Sequence, residues 1–149
     1  MAGGDRVNRI GQVVGGRFRV DELIGRGASA EVWRALDLES NTAVALKILR
    51  FTHISDNVQL ARFAREGEVQ AKLRHRNIAA LLASGVTDKN EPYLAVELLR
   101  GKTLRGVVKQ EGRLAPRRAA SYAWQALNGL AAVHAQGVLH RDLKPANIM

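Results

Sequence analysis

The sequence predicts an α+β fold, a five-strand unit with one inserted helix followed by a helical unit. Three observations carry that expectation. Between Arg17 and Leu49 the apolar residues come in short segments, alternating or continuous, separated by glycine and turn residues. From Leu60 to Leu73 they recur at helical spacing, and beyond Thr103 the pattern stays helical as far as Gly137. The chain accordingly divides into a tail (1–15), a strand-rich part (16–97) and a helical part (98–149).

Each element follows from its residues. Residues 1–15 are polar, Gly-bearing and without clear periodicity, which reads as a flexible N-terminal tail. Phe18, Val20, Leu23 and Ile24 form a strand that enters the glycine turn Gly25-Arg26-Gly27. In the second strand Val32 and Trp33 point to opposite faces, and Asp37–Asn41 supplies turn chemistry. Ala43–Leu49 is a third strand, apolar on both faces and interrupted by Lys47. Ser55-Asp56-Asn57 is a capping cluster for a helix carrying Leu60, Phe63, Ala64, Ala71 and Leu73. Ile78–Val86 and Tyr93–Leu98 are two more strands, joined through Asp88-Lys89-Asn90. Thr103–Lys109 is a short helix closed by Glu111-Gly112. Pro116 then opens a longer helix whose apolar face is Ala119, Ala123, Ala126, Leu127, Leu130 and Val133, stopping at Gly137.

Composition narrows the function classes. A chain of 149 residues can bury a single core. With no cysteine, disulfide scaffolds, cysteine-ligated zinc and thiol nucleophiles are excluded. Lys and Arg number 23 against 14 Asp and Glu, a formal charge of +9, yet the densest groups, Arg74/Arg76 and Arg113/Arg117/Arg118, are short and scattered. With aromatics at only 5% there is no stacking platform, so the charge reads as a solvated face and not as a nucleic-acid surface. No apolar run approaches the roughly 20 residues of a membrane-spanning helix, Ile78–Ala83 being among the longest. The N-terminus lacks a signal-peptide core, and Ala2 stands where myristoylation needs glycine, so the expected compartment is the cytoplasm.

Three features carry chemistry. Gly25-x-Gly27 between strands is either a tight turn or a place where backbone N–H groups approach a phosphate chain. Lys47 in an apolar strand must snorkel outward or meet an anion; Glu66 on the following helix is a natural counter-charge, Glu68 a solvated face residue. His140-Arg141-Asp142-Leu143-Lys144-x-x-Asn147 puts a carboxylate, an ammonium and a carboxamide on one short segment. Phosphoryl transfer needs those three functions: an orienter for the attacking hydroxyl, a cation for the moving group and an oxygen ligand for Mg²⁺.

With these residues in this order, the sequence resembles the protein-kinase family, and more narrowly the eukaryotic-like serine/threonine kinases of bacteria. Gly25–Val32 looks like the glycine-rich loop, Val44-Ala45-Leu46-Lys47 like the strand of the ATP-positioning lysine, and Phe63-Ala64-Arg65-Glu66 like the helix whose glutamate pairs with it. Leu73–Ile78 resembles the link back to the sheet, Tyr93–Leu99 the hinge strand with Val96 as gatekeeper, and His140–Asn147 the catalytic loop. Lys144-Pro145 is the form typical of serine/threonine kinases.

The resemblance implies a small lobe with a five-stranded antiparallel sheet and one helix, then the hinge and first helices of a large lobe. It implies ATP and Mg²⁺ as cofactors and protein Ser/Thr hydroxyls as substrate, with a homodimer through the small lobe as an allowed partner. The backbone of Gly25, Arg26, Gly27, Ala28, Ser29 and Ala30 would cover the triphosphate, and Lys47, held by Glu66, would contact its α and β phosphates. Ile24, Val32, Ala45, Leu99 and Met149 would enclose the adenine, whose edge the Glu97 and Leu99 backbones would bind. Asp142 would accept or orient the hydroxyl proton, Lys144 would neutralise the γ-phosphoryl group and Asn147 would bind Mg²⁺.

Two departures stand out. Ala30 replaces the usual third loop glycine, a change expected to alter nucleotide affinity modestly. After Asn147 the Asp-Phe-Gly segment, activation loop and later helices of the family do not follow, so the implied chain is a fragment inactive by itself. The alternative is a non-catalytic nucleotide-binding or decoy fragment. His75 and His134 read as packing or surface residues.

Overall fold

The computed structural model describes residues 8–27, 29–50, 57–140 and 142–149, with only the backbone for Asn57 and Gln59. Residues 1–7 of the expected tail, the cap residues Ser55 and Asp56, the loop residue Ala28 and Arg141 of the catalytic-loop motif lie outside the described residues. The described chain falls into two compact units, one drawn from Met1–Ala64 and Leu82–Leu98, the other from Arg65–Leu81 and Leu99–Met149.

The first unit is built on a six-stranded sheet of β1 (Val13–Val14), β2 (Phe18–Arg26), β3 (Ala30–Asp37), β4 (Thr42–Leu49), β5 (Leu81–Val86) and β6 (Pro92–Glu97). The strand order is β1-β2-β3-β4-β6-β5, antiparallel at the β1–β2, β2–β3, β3–β4 and β4–β6 contacts. Period-two patterning sends Phe18, Val20, Trp33, Ala35, Val44, Leu46, Ile48, Tyr93 and Ala95 into one core together with Val14. Phe18 and Tyr93 meet there edge to face, their centroids 5.9 Å apart. The Tyr93 ring lies so close over Gly15 and Gly85 that a β-carbon on Gly85 would come within 2.8 Å of its hydroxyl oxygen. Asn41 and Asn90, each with positive φ, close the two turns expected at Asp37–Asn41 and Asp88–Asn90.

Two expectations need correction. The sheet has six strands, because β1 lies inside the segment read as a flexible tail. Of that segment, residues 8–15 are tied down: Arg9 is 3% exposed and bonds Glu91 at 2.6 Å, and Gly11 N–H donates to the Val20 carbonyl. A two-residue strand is too short to show periodicity, which is why composition alone read it as loose. The strand β2 runs into the glycine turn as expected, with bulges between Val20 and Glu22 and between Leu23 and Gly25 that leave Leu23 and Ile24 exposed. Second, β5 begins at Leu81 and not at Ile78. The Ile78 N–H closes a turn on the His75 carbonyl, and Asn77 N–H donates to His75 Nδ1.

Helix α1 (Asn57–Lys72) buries Phe63 and Gly67, with Leu73 buried just past its end; Leu60, Ala64 and Ala71 of the expected stripe are exposed. In the second unit, α2 (Leu104–Glu111) is capped by Thr103 Oγ1, which accepts from Gly106 N–H at 3.1 Å, and ends at Gly112 with φ 77°. The longer α3 (Pro116–His134) starts on its proline and stops shortly before Gly137, where φ is 70°. Gly129 lets α3 approach the Asn77–Ile78 backbone, since a β-carbon there would lie 3.0 Å from the Asn77 carbonyl oxygen. Arg118 joins α3 to α2 through Glu111. Among the expected apolar face of α3, Leu127 remains 60% exposed, as does its neighbour Trp124 at 65%.

Candidate active site

The face of the sheet opposite the core gathers one set of the expected residues. Directly paired residues of antiparallel strands share a face, and the register pairs Gly25 with Val32, Val32 with Lys47, Lys47 with Leu94 and Ala45 with Val96. Gly25, Val32, Ala45, Lys47 and Val96 therefore stand together on one side of β2, β3, β4 and β6, while Trp33, Leu46 and Ala95 point into the core on the other. Lys47 is half-buried, and its ammonium lies 5.6 Å from the centre of the Phe63 ring. An ammonium over an apolar floor is held away from bulk water, where its attraction for a polyanion is strengthened. Glu97, at the end of β6, pairs with Val44, and its main chain leads out of the sheet.

The glycine turn closes the β2–β3 hairpin. Gly27 N–H donates to the Ala30 carbonyl at 2.8 Å, and Arg26 lies opposite Glu31. Gly25 and Gly27 leave the turn without side chains on either side of Arg26. Ile24 before it is 46% exposed, and Ser29 after it accepts from the Arg50 backbone N–H at 2.8 Å.

Around this turn lies an ionic cluster that residue spacing did not reveal. The buried Glu31 carboxylate has Arg26 Nη2 at 3.0 Å, Arg50 Nη1 at 3.8 Å and Arg9 Nε at 3.9 Å. Arg50 Nη2 also donates to the Gly27 carbonyl at 3.2 Å. Arg26 and Glu31 flank the turn, while Arg9 and Arg50 come from elsewhere in the chain.

The second unit holds the other set. In the segment after α3, Lys144 Nζ donates to Asp142 Oδ1 at 2.8 Å, and Asn147 Nδ2 donates to Asp142 Oδ2 at 3.0 Å and to its carbonyl at 2.8 Å. Asp142 N–H in turn donates to the His140 carbonyl at 2.9 Å. A short 3-10 turn, Pro145–Asn147, brings Asn147 back onto Asp142, and Leu104 N–H fastens the segment to the start of α2 through the Ile148 carbonyl. Lys144 first, then Asn147, holds the Asp142 carboxyl below the usual aspartate range. It is therefore ionised at neutral pH and can accept a hydrogen bond from a hydroxyl. Asp142 and Lys144 are more than half exposed, so both are open to a ligand. Glu66 on α1, Leu99 and Met149 also belong to this unit and are exposed.

Asp142 and Asn147 present oxygen atoms that could serve as ligands to a magnesium ion. The Asn147 amide nitrogen is engaged by Asp142, which leaves its oxygen as the remaining acceptor, and a carboxylate lies beside it. Mg²⁺ prefers one or two such protein oxygens with water and phosphate completing its shell. Among the described residues no group of three or more His, Cys, Asp or Glu forms a dedicated metal cage.

Comparison with known proteins identifies the family. The model of the protein kinase domain matches residues 18–149. The probable serine/threonine-protein kinase PknB of Bifidobacterium longum is 39% identical over 145 residues, covering 92% of this chain and 21% of that protein. PknA of Mycobacterium tuberculosis, a serine/threonine-protein kinase, is 37% identical, covering 95% of this chain and 34% of its own. The chain thus spans about a fifth to a third of the curated relatives it matches. Among solved structures, the kinase domain of M. tuberculosis PknI superposes with a TM-score of 0.77 at 27% identity, over 92% of this chain and 55% of that one.

Proposed function

The chain belongs to the protein kinase family, with bacterial serine/threonine kinases among its relatives, and from that premise we propose that it binds MgATP and supplies the phosphate-positioning and catalytic-loop residues for transfer to protein Ser or Thr hydroxyls. The observation that carries the proposal is the hydrogen-bonded set Asp142, Lys144 and Asn147, in which one ionised carboxylate is kept in place by an ammonium and an amide. Such a set is suited to orienting a hydroxyl, because accepting its proton needs a fixed, charged oxygen. Lys144 provides positive charge beside the position of the attacking hydroxyl, where it offsets the negative charge of a phosphoryl group in flight.

On the sheet unit, Lys47 is the cation for the phosphate chain, Val32, Ala45 and Val96 form an apolar floor for a base, and the glycine turn lets main-chain N–H groups approach phosphate oxygens. By the family resemblance, Ile24, Leu99 and Met149 would add apolar cover, and the Glu97 and Leu99 main chains would bind the base edge. When bound, Mg²⁺ neutralises phosphate charge, and Asn147 would hold it. Among the described residues no helix is long and apolar enough to cross a membrane; a cytoplasmic site of action is part of this reading.

The proposal is tested by joining this chain to the remaining part of a relative's kinase domain and measuring transfer of the γ-phosphate to a Ser/Thr peptide. Wild type should be active, while Lys47→Met and Asp142→Asn should each lose activity by about 10²-fold or more. Equal phosphorylation by all three would overturn it. ATP binding that survives with no transfer in any variant would favour the non-catalytic reading.

A further inference from the structure

The ionic cluster around Glu31 lies beside the glycine turn and has no part in the chemistry described so far. Its carboxylate is almost fully buried, with a side chain 6% exposed. Three guanidinium groups from three separate stretches face it: Arg26 within the turn, Arg50 just after β4 and Arg9 from the N-terminal segment. Arg50 is also joined to the turn twice. Its side chain donates to the Gly27 carbonyl at 3.2 Å and its main-chain N–H to the Ser29 carbonyl at 2.8 Å. Arg9 is anchored at its far end by Glu91 at 2.6 Å.

We propose that Glu31 is a positioning residue for the phosphate-binding turn: through Arg50 and Arg26 it holds the Gly27 and Ser29 main chain in the arrangement that receives a triphosphate. This rests on the nucleotide reading above and adds to it. A glycine-bearing turn has many accessible backbone states, and ordering them at the moment of binding lowers affinity. A buried carboxylate that fixes the arginine spanning the turn removes that cost in advance. The ion pairs, 3.0 Å at Arg26 and 3.8 Å at Arg50, meet a carboxylate shielded from water, where screening is weak.

A role in phosphate positioning differs measurably from a merely structural one. Adenosine reports on the base floor alone, whereas ATP also reports on the turn. By titration of the whole chain, Glu31→Gln should bind ATP about tenfold more weakly, the equivalent of one hydrogen bond to a charged group, and adenosine as wild type does. Amide exchange of Gly27 and Arg50, whose N–H groups close the turn, should quicken about tenfold while that of Leu46 in the core strand stays unchanged. Arg50→Ala, at a side chain one-third exposed, should reproduce both effects and guards against a Glu31 variant that fails to fold. Equal ATP affinity in wild type and variants, or equal losses for ATP and adenosine, would overturn the positioning role while leaving the nucleotide reading intact. Absence of ATP and adenosine binding by the folded wild-type chain would overturn the nucleotide reading and this role with it.

Discussion

Asp142 keeps its charge because protonating it would forfeit the Lys144 and Asn147 contacts. Its carboxyl therefore titrates below the ordinary aspartate value of about 3.9. Lys144→Met removes the leading cause, so the midpoint should rise toward that ordinary value. An NMR titration following the Asp142 side-chain carboxyl carbon checks this, and an unmoved midpoint would contradict it. Motif spacing made these residue types legible, since a carboxylate, an ammonium and an amide in that order on one segment already suggest phosphoryl transfer. Spacing could not show that they bond one another, because that depends on the 3-10 turn at Pro145–Asn147. The clasp of Glu31 was illegible for a related reason. Its partners at 9, 26 and 50 converge only through the sheet.

At the scale of the element, β4 and α3 make a useful contrast. Leu46 is fully buried between β3 and β6, and Leu46→Ala should cost about 2–5 kcal/mol. Leu127 on α3 is 60% exposed, and Leu127→Ala should stay within about 0.5 kcal/mol. Denaturant midpoints of the two variants compare them directly. Gly85 on β5 has no room for a methyl group under the Tyr93 ring, so Gly85→Ala should destabilise by about 1–3 kcal/mol. Strand and helix identities were legible where a run of residues agreed, as in the apolar run of β4 and the helical spacing of α3. The misses fell where the signal was too short or a local interaction intervened: the two-residue β1 and the His75 turn that delays β5.

Across the molecule, acid sensitivity has an identifiable source. Asp37 is buried at the β3–β4 turn, where Arg17 Nε and Nη2 donate to it at 2.8 and 2.7 Å, Ser40 donates at 2.8 Å and Glu39 N–H at 3.0 Å. The Arg17 fork above all holds its carboxyl far below the usual range. A depressed native value means that the unfolded chain takes up the proton first. The stabilisation is therefore complete above the ordinary value of about 4 and drains away as pH falls below it. Thermal midpoints of wild type should drop between about pH 4 and 2 more steeply than those of Asp37→Asn. Parallel curves would contradict that assignment.

The nucleotide reading assigns Lys47 and Asn147, 100 positions apart in the chain, to the same ligand. Titrating the isotope-labelled chain with MgATP and following both residues by NMR tests this most directly. The expected result is saturable shifts at Lys47, at Gly25 and Gly27, and at Asn147, all fitting one dissociation constant. Saturable shifts at Lys47 with none at Asn147, or no saturable shift at either, would contradict it.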